Sequence, residues 1–99
     1  MVKRRTQPRK TLLCRISVLW HDDDEISRSQ SGMIEDRSLT GMGISVPYPI
    51  AIGTKVIVRG RVRELAGVVR HCRLNHAKYF IGIQLEREDK TWNHFGAGL

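Results

Sequence analysis

Two short groups of residues have the chemical types and the spacing needed to hold an anionic nucleotide. Arg5 and Arg9 lie four positions apart near the start of the chain, and a later segment contains Asp36, Ser38 and Gly41. A guanidinium can donate two parallel hydrogen bonds to a phosphate, or to O6 and N7 of a guanine. Aspartate and serine side chains form hydrogen bonds with nearby backbone groups, and glycine readily adopts positive φ. The composition of segment 36–41 therefore predicts a polar turn. The sequence therefore predicts a site in which the arginines and this turn meet one ligand.

The two groups occur in the order RxxxR and then (D/N)xSxxG, and both patterns are complete. In this respect the chain resembles the PilZ domain, the bacterial receptor module for cyclic di-GMP. The similarity runs from Arg4 to about Leu85 and includes segments 52–56, 67–69 and 81–85, which are typical of the barrel strands of that family. The resemblance implies a six-stranded β-barrel with a terminal helix, and a receptor for cyclic di-GMP. Because the sequence shows no effector domain, we expect the signal to pass to an unidentified effector protein.

The resemblance also implies a role for each motif residue. Arg5 and Arg9 would bind guanine edges and phosphates of cyclic di-GMP. Asp36 would accept hydrogen bonds from guanine N1–H and N2–H, Ser38 would bond the base or the phosphate, and Gly41 would let the backbone approach the ligand. Each group alone has a simpler interpretation, a solvated basic tail for the arginines and an ordinary hairpin turn for segment 36–41.

Three further arginines lie close to these motifs in sequence or in the expected fold. Arg4 directly precedes the first motif arginine, and the resemblance implies that a guanidinium there favours an intercalated dimer of the ligand. Arg70 in the fifth expected strand either stacks on a base or is an ordinary exposed arginine. Arg37, inside the turn, either reaches a phosphate or is a solvated charge.

The net charge of +7 is concentrated at the N-terminal end of the chain. Residues 1–21 contain six of the 17 Lys and Arg residues and no acid, which leaves eleven bases against ten acids in the remainder. A local cationic arm predicts an anionic partner: a nucleotide, a nucleic acid or an acidic membrane. No apolar stretch is long enough to span a membrane and no secretory signal is present, and two cysteines give no disulfide framework, so a cytoplasmic location is expected.

Alternating apolar residues and regularly spaced turn residues predict an all-β domain of six short strands, either an antiparallel barrel or a closed sandwich. The expected strands are 12–20, 27–35, 42–46, 55–59, 65–74 and 79–86. Residues 1–10 would form a flexible ligand-binding arm and 11–86 the barrel. Residues 87–96 would form a short helix, because Trp92 and Phe95 fall three positions apart between acidic residues and glycines.

No catalytic motif is visible, so we expect a binding protein and not an enzyme. We expect no metal or other cofactor, because His71 and Cys72 alternate on a strand and point to opposite faces. Two alternatives to a cyclic di-GMP receptor remain open. One is a small β-barrel that binds single-stranded nucleic acid, although the arm lacks the aromatic residues that such proteins use. The other is a PilZ-like interaction module that has lost its ligand.

Overall fold

A computed structural model describes residues 14–90, which form a closed barrel of six antiparallel strands. Around the barrel the strands follow the order β1-β2-β3-β6-β5-β4, and β1 closes it by pairing with β4. The all-β antiparallel barrel expected from the sequence is confirmed, and closure decides between the barrel and the sandwich. The strands are β1 (Cys14–His21), β2 (Ser27–Arg37), β3 (Gly41–Val46), β4 (Lys55–Arg59), β5 (Glu64–Asn75) and β6 (Lys78–Leu85).

The core fills the inside of the barrel with one face of every strand. Alternation along each strand sends aliphatic side chains inward and leaves the other face to the outside. Most of the buried residues are β-branched, which suits a pleated and closely packed surface. Each large aliphatic side chain that is removed from water contributes about 1.5–3 kcal/mol. The core consists of Ile16, Val18, Ile34, Met42, Ile44, Val46, Ile50, Val56, Val58, Val69, Ile81, Ile83 and Leu85.

Two register shifts interrupt the alternation, one in β2 and one in β5. The shift in β2 falls between Ile34 and Asp36, and the shift in β5 falls between Val69 and His71. At each shift two consecutive residues of one strand oppose a single residue of the partner, which is the geometry of a β-bulge. As a result Glu35 and Asp36 are both exposed, and so are Arg70 and His71. The bulges therefore give the barrel two pairs of adjacent outward-facing side chains.

Within residues 14–90 the strand limits differ from the predicted ones by two residues or fewer, and β2 extends through Arg37 into the predicted turn. Residues 86–90 form bends and a turn, and there is no helix among residues 14–90. The rest of the predicted helix 87–96 and the predicted arm 1–10 lie outside the described residues. No helix of sufficient length and apolarity to cross a membrane occurs within the described part of the chain.

Candidate functional site

A groove of about 370 Å³ lies on the outer face of the barrel and crosses the end of β2, the start of β3 and the central parts of β6 and β5. It contains four residues that the sequence singles out: Asp36, Ser38 and Gly41 from the motif turn, and Arg70 from the β5 bulge. The remaining residues that line it are Thr40, Met42, Gly43, Phe80, Gly82, Ile83 and Gln84. The fold thus brings Arg70 to the motif turn across a large separation in sequence.

The floor of the groove is formed by two glycines that face each other across β3 and β6. Gly43 pairs with Gly82, and the same row continues to Asp36 on one side and to His71 on the other. A Cβ atom on Gly43 would lie 2.4 Å from Cζ of Phe80 and 3.0 Å from Oδ1 of Asp36. Glycine at position 43 therefore has a steric role, because its hydrogen lets the Phe80 ring and the Asp36 carboxylate lie close to the backbone.

The motif turn is closed by its own residues. The Ser38 amide donates to the Gly41 carbonyl at 2.9 Å, and the Gly41 amide donates to Oγ of Ser38 at 3.1 Å. A Cβ atom on Gly41 would lie 2.8 Å from the carbonyl oxygen of Ile83, so glycine lets β3 start directly against β6. The expectation that glycine supplies a positive φ in this turn is wrong, since among the described glycines that conformation occurs at Gly53. Gly41 is required by close approach of the paired strand.

Arg70 stands at the side of the groove opposite Asp36. As the additional residue of the β5 bulge it faces outward, and its Nε donates to Oε1 of Gln84 at 2.8 Å. This bond uses one of the five N–H donors of the guanidinium and fixes the direction of the side chain. The two sides of the glycine floor therefore carry opposite charges, a carboxylate from β2 and a guanidinium from β5.

Phe80 is a groove residue that the sequence analysis did not single out. Its ring contacts the floor beside Gly43, and the guanidinium of Arg73 lies 5.2 Å from the ring centroid. The signal for it was present in β6, where Phe80, Gly82 and Gln84 alternate with the buried residues and must face outward. What sequence could not supply was the β3–β6 register, which sets this face of β6 beside the motif turn.

Arg37, the second residue of the motif turn, points into the protein. Its side chain is 5% exposed and forms an ion pair between Nη2 and Oδ2 of Asp89, which is itself 3% exposed. Arg63, from the β4–β5 connection, contacts the same carboxylate through Nη1–Oδ1 at 3.1 Å and Nη2–Oδ2 at 2.8 Å. Both interpretations of Arg37 from sequence, a phosphate contact and a solvated charge, are therefore wrong, because its counterion is a buried aspartate.

The remaining predicted ligand residues, Arg4, Arg5 and Arg9, lie outside the described residues. Within residues 14–90 there is no group of three or more His, Cys, Asp or Glu side chains placed to hold a metal ion. His71 is exposed and Cys72 packs partly against the core, in agreement with the opposite faces predicted for them.

Comparison with known proteins gives one family. The PilZ domain model matches residues 3–95 of the 99-residue chain, a range that includes the motif turn and all three arginines of the N-terminal segment. No curated protein matches the sequence significantly.

Proposed function

Since the chain belongs to the PilZ domain family, we propose that it is a receptor for cyclic di-GMP that binds this nucleotide in the groove between β2 and β5. PilZ domains are ligand-binding receptors, and this chain carries both ligand motifs of the family. One observation carries the proposal: the four ligand residues predicted within the described chain, Asp36, Ser38, Gly41 and Arg70, all line one open groove.

The chemistry of the groove suits a guanine with a phosphate beside it. The exposed carboxylate of Asp36 can accept the N1–H and N2–H bonds of a guanine, as a carboxylate does with paired donors. Arg70 can stack on the base or donate to a phosphate. Because Gly43 and Gly82 have no side chains, a planar base can lie directly against the strands between these two groups. The ring of Phe80 provides an aromatic edge at one side.

The N-terminal segment supplies the remaining positive charge in this proposal. Cys14, the first described residue, pairs with Ile34, so β1 begins at the same end of the barrel at which β2 leads into the motif turn. Arg9 precedes Cys14 by five residues, a separation that an extended chain covers in at most about 18 Å. The segment that carries the arginines therefore joins the barrel at the end that holds the motif turn. We propose that binding orders this segment over the groove, with Arg5 and Arg9 on guanine edges and phosphates.

Two finer features belong to the same proposal. Arg4 adds a third guanidinium, which can stack on a guanine or reach a second phosphate, so we propose that the ligand binds as an intercalated dimer. The ordered segment would then change one face of the barrel, and an effector protein would recognise that change.

Titration calorimetry of the purified protein with cyclic di-GMP tests the proposal, with GTP and cyclic di-AMP as comparison ligands. We expect binding of cyclic di-GMP alone, with close to two ligands per chain. Arg5→Ala or Arg9→Ala should weaken it by about 5- to 150-fold, because each bidentate contact contributes about 1–3 kcal/mol. Lys78→Ala is the matched control, since it removes the same charge at the far end of the barrel beside the β5–β6 hairpin.

Absence of cyclic di-GMP binding by the folded protein would refute the receptor assignment. A ratio of one ligand per chain would refute the dimer, and Arg4→Leu should lower the ratio if the dimer forms. The alternative of a single-stranded nucleic acid ligand predicts a different pattern. Affinity for an oligonucleotide would then persist after Ser38→Ala, and the three cyclic or linear nucleotides would not be distinguished.

A further inference from the structure

The last residue of β6 and the segment that follows it form three contacts with the motif turn. The Asp89 carboxylate pairs with the side chain of Arg37, the Asp89 amide donates to the Leu39 carbonyl at 2.8 Å, and the Leu85 amide donates to the Thr40 carbonyl at 2.8 Å. The internal hydrogen bonds between Ser38 and Gly41 close the turn, but these three contacts connect it to the barrel. Residues 85–89 therefore form the support on which one side of the groove rests.

Burial makes the ionic contact of this support strong. A charged group removed from water is destabilising unless a partner of opposite charge compensates for it, and removing one member of such a pair leaves the other charge buried and uncompensated. The side chains of Arg37 and Asp89 are 5% and 3% exposed and that of Arg63 is 31% exposed, so the pair of Arg37 with Asp89 is the more deeply buried of the two ion pairs that Asp89 forms. The position of Arg37 in turn fixes its chain neighbours, Asp36 and Ser38, which face the groove.

We propose that Asp89 is a positioning residue for the nucleotide groove, which couples the segment after β6 to ligand binding through Arg37 and the turn at 38–41. The inference rests on the proposed function for its ligand. Asp89 does not line the groove and acts through the backbone of the turn. Because coupling between two sites is reciprocal, a ligand that holds the turn also stabilises the contacts of Asp89.

The test uses the full chain with Asp89→Asn, which keeps the shape of the side chain and removes its charge. Glu64→Gln is the matched control, since it makes the same chemical change in the exposed ion pair of Glu64 with Arg59, next to Arg63 but not in contact with Asp89 through its own side chain. We expect Asp89→Asn to weaken binding of cyclic di-GMP by about 5- to 150-fold, the range of typical coupling energies, and Glu64→Gln to leave it within twofold of the unaltered protein. In the absence of ligand, the amides of Ser38 and Gly41 should exchange with solvent faster in Asp89→Asn than in Glu64→Gln.

A measurement on the unaltered protein keeps the test independent of the folding of any variant. Saturation with cyclic di-GMP should slow hydrogen exchange at the amides of Asp89 and Leu85, and unchanged exchange there would overturn the coupling. A folded Asp89→Asn protein that binds as tightly as the unaltered chain would overturn the positioning role while leaving the receptor assignment intact. If the unaltered protein binds no cyclic di-GMP, the receptor assignment fails. Hydrogen exchange at the amides of Ser38 and Gly41 without ligand then tests the structural part of the inference. Faster exchange in Asp89→Asn than in Glu64→Gln would support the view that Asp89 holds the turn, and equal exchange in the two variants would overturn it.

Discussion

Replacement of Gly43 by alanine places one methyl group on the floor of the groove. The new Cβ would lie 2.4 Å from Cζ and 2.7 Å from Cε1 of Phe80. Carbon atoms in favourable contact are about 3.5–4.0 Å apart, so the ring must move by about 1 Å or more. Phe80 is partly exposed, and the atoms in conflict are the far end of its side chain, so the ring can turn toward solvent.

The consequences for stability and for binding are therefore expected to differ. Inserted methyl groups in packed sites cost about 1–3 kcal/mol, and the freedom of Phe80 places Gly43→Ala near the lower end of that range. For a domain of this size about 1 kcal/mol corresponds to a decrease in Tm of about 4–8 °C. Binding should suffer more, because the methyl group occupies the floor and the displaced ring enters the groove. We expect the affinity for cyclic di-GMP to fall at least about tenfold, which corresponds to about 1.4 kcal/mol.

Thermal unfolding and titration calorimetry separate the two effects. Ser45→Ala is the control on the same outward face of β3, two residues away and not part of the groove lining. The double variant Gly43→Ala with Phe80→Leu removes the steric conflict with the ring, so its Tm should recover while its affinity stays low. A Gly43→Ala protein with the Tm and the affinity of the unaltered chain would refute the reasoning, since it would mean that neither the ring nor the ligand uses the floor.

Two further predictions follow from local geometry. Gly41→Ala should destabilise the fold by about 1–3 kcal/mol, because its Cβ would lie 2.8 Å from the carbonyl oxygen of Ile83. This oxygen belongs to the backbone of a paired strand and cannot turn away as the Phe80 ring can. Urea denaturation measures the change, and an unchanged midpoint would contradict the prediction. Hydrogen bonds from the Ile26 amide and from Arg28 lower the pKa of Asp22 from its ordinary value of 3.8. The charge of Asp22 therefore stabilises the β1–β2 hairpin above about pH 4, and this contribution is lost as the pH falls through the lowered pKa. The difference in unfolding free energy between the unaltered protein and Asp22→Asn should accordingly shrink between about pH 6 and about pH 3, and a constant difference would show that the charge of Asp22 contributes nothing.

The strands could be predicted from sequence because the barrel has one solvent face and one core face. Alternation in β1 and β6 marked both strands to within two residues. The choice between barrel and sandwich could not be predicted, because closure depends on the pairing of β1 with β4, for example Ser17 opposite Arg59, and no local pattern encodes a contact over that separation. The bulge at Arg70 could not be predicted from alternation either, because it is a shift in the pairing of β5 with β6 and not a property of β5 alone.

The residues of the candidate site also fall into those that could be predicted from the sequence and those that could not. Asp36, Ser38 and Gly41 were found because their motif is contiguous, and their side of the groove needs only a local turn. Phe80 and Gln84 were not singled out, because they reach the groove through the register of β6 with β3 and β5. Arg37 was misplaced for a physical reason: a guanidinium among turn residues is normally solvated, and its burial requires a counterion that lies 52 positions away in sequence.

The bulge in β2 explains why the groove and the buried ion pair occur together. With Ile34 facing the core, a regular strand would place Asp36 inward and Arg37 outward, since the side-chain period of a strand is two. The register shift between Ile34 and Asp36 reverses both residues, so the carboxylate is exposed beside Gly43 and the guanidinium is buried against Asp89. The bulge that supplies the groove with an acceptor therefore also buries the charge of Arg37, which pairs with Asp89 in the segment after β6. The bulge in β2 produces both the exposed carboxylate of Asp36 and the buried guanidinium of Arg37. A substitution that displaces Asp89 should therefore also change the orientation of the end of β2, which presents Asp36 to the groove.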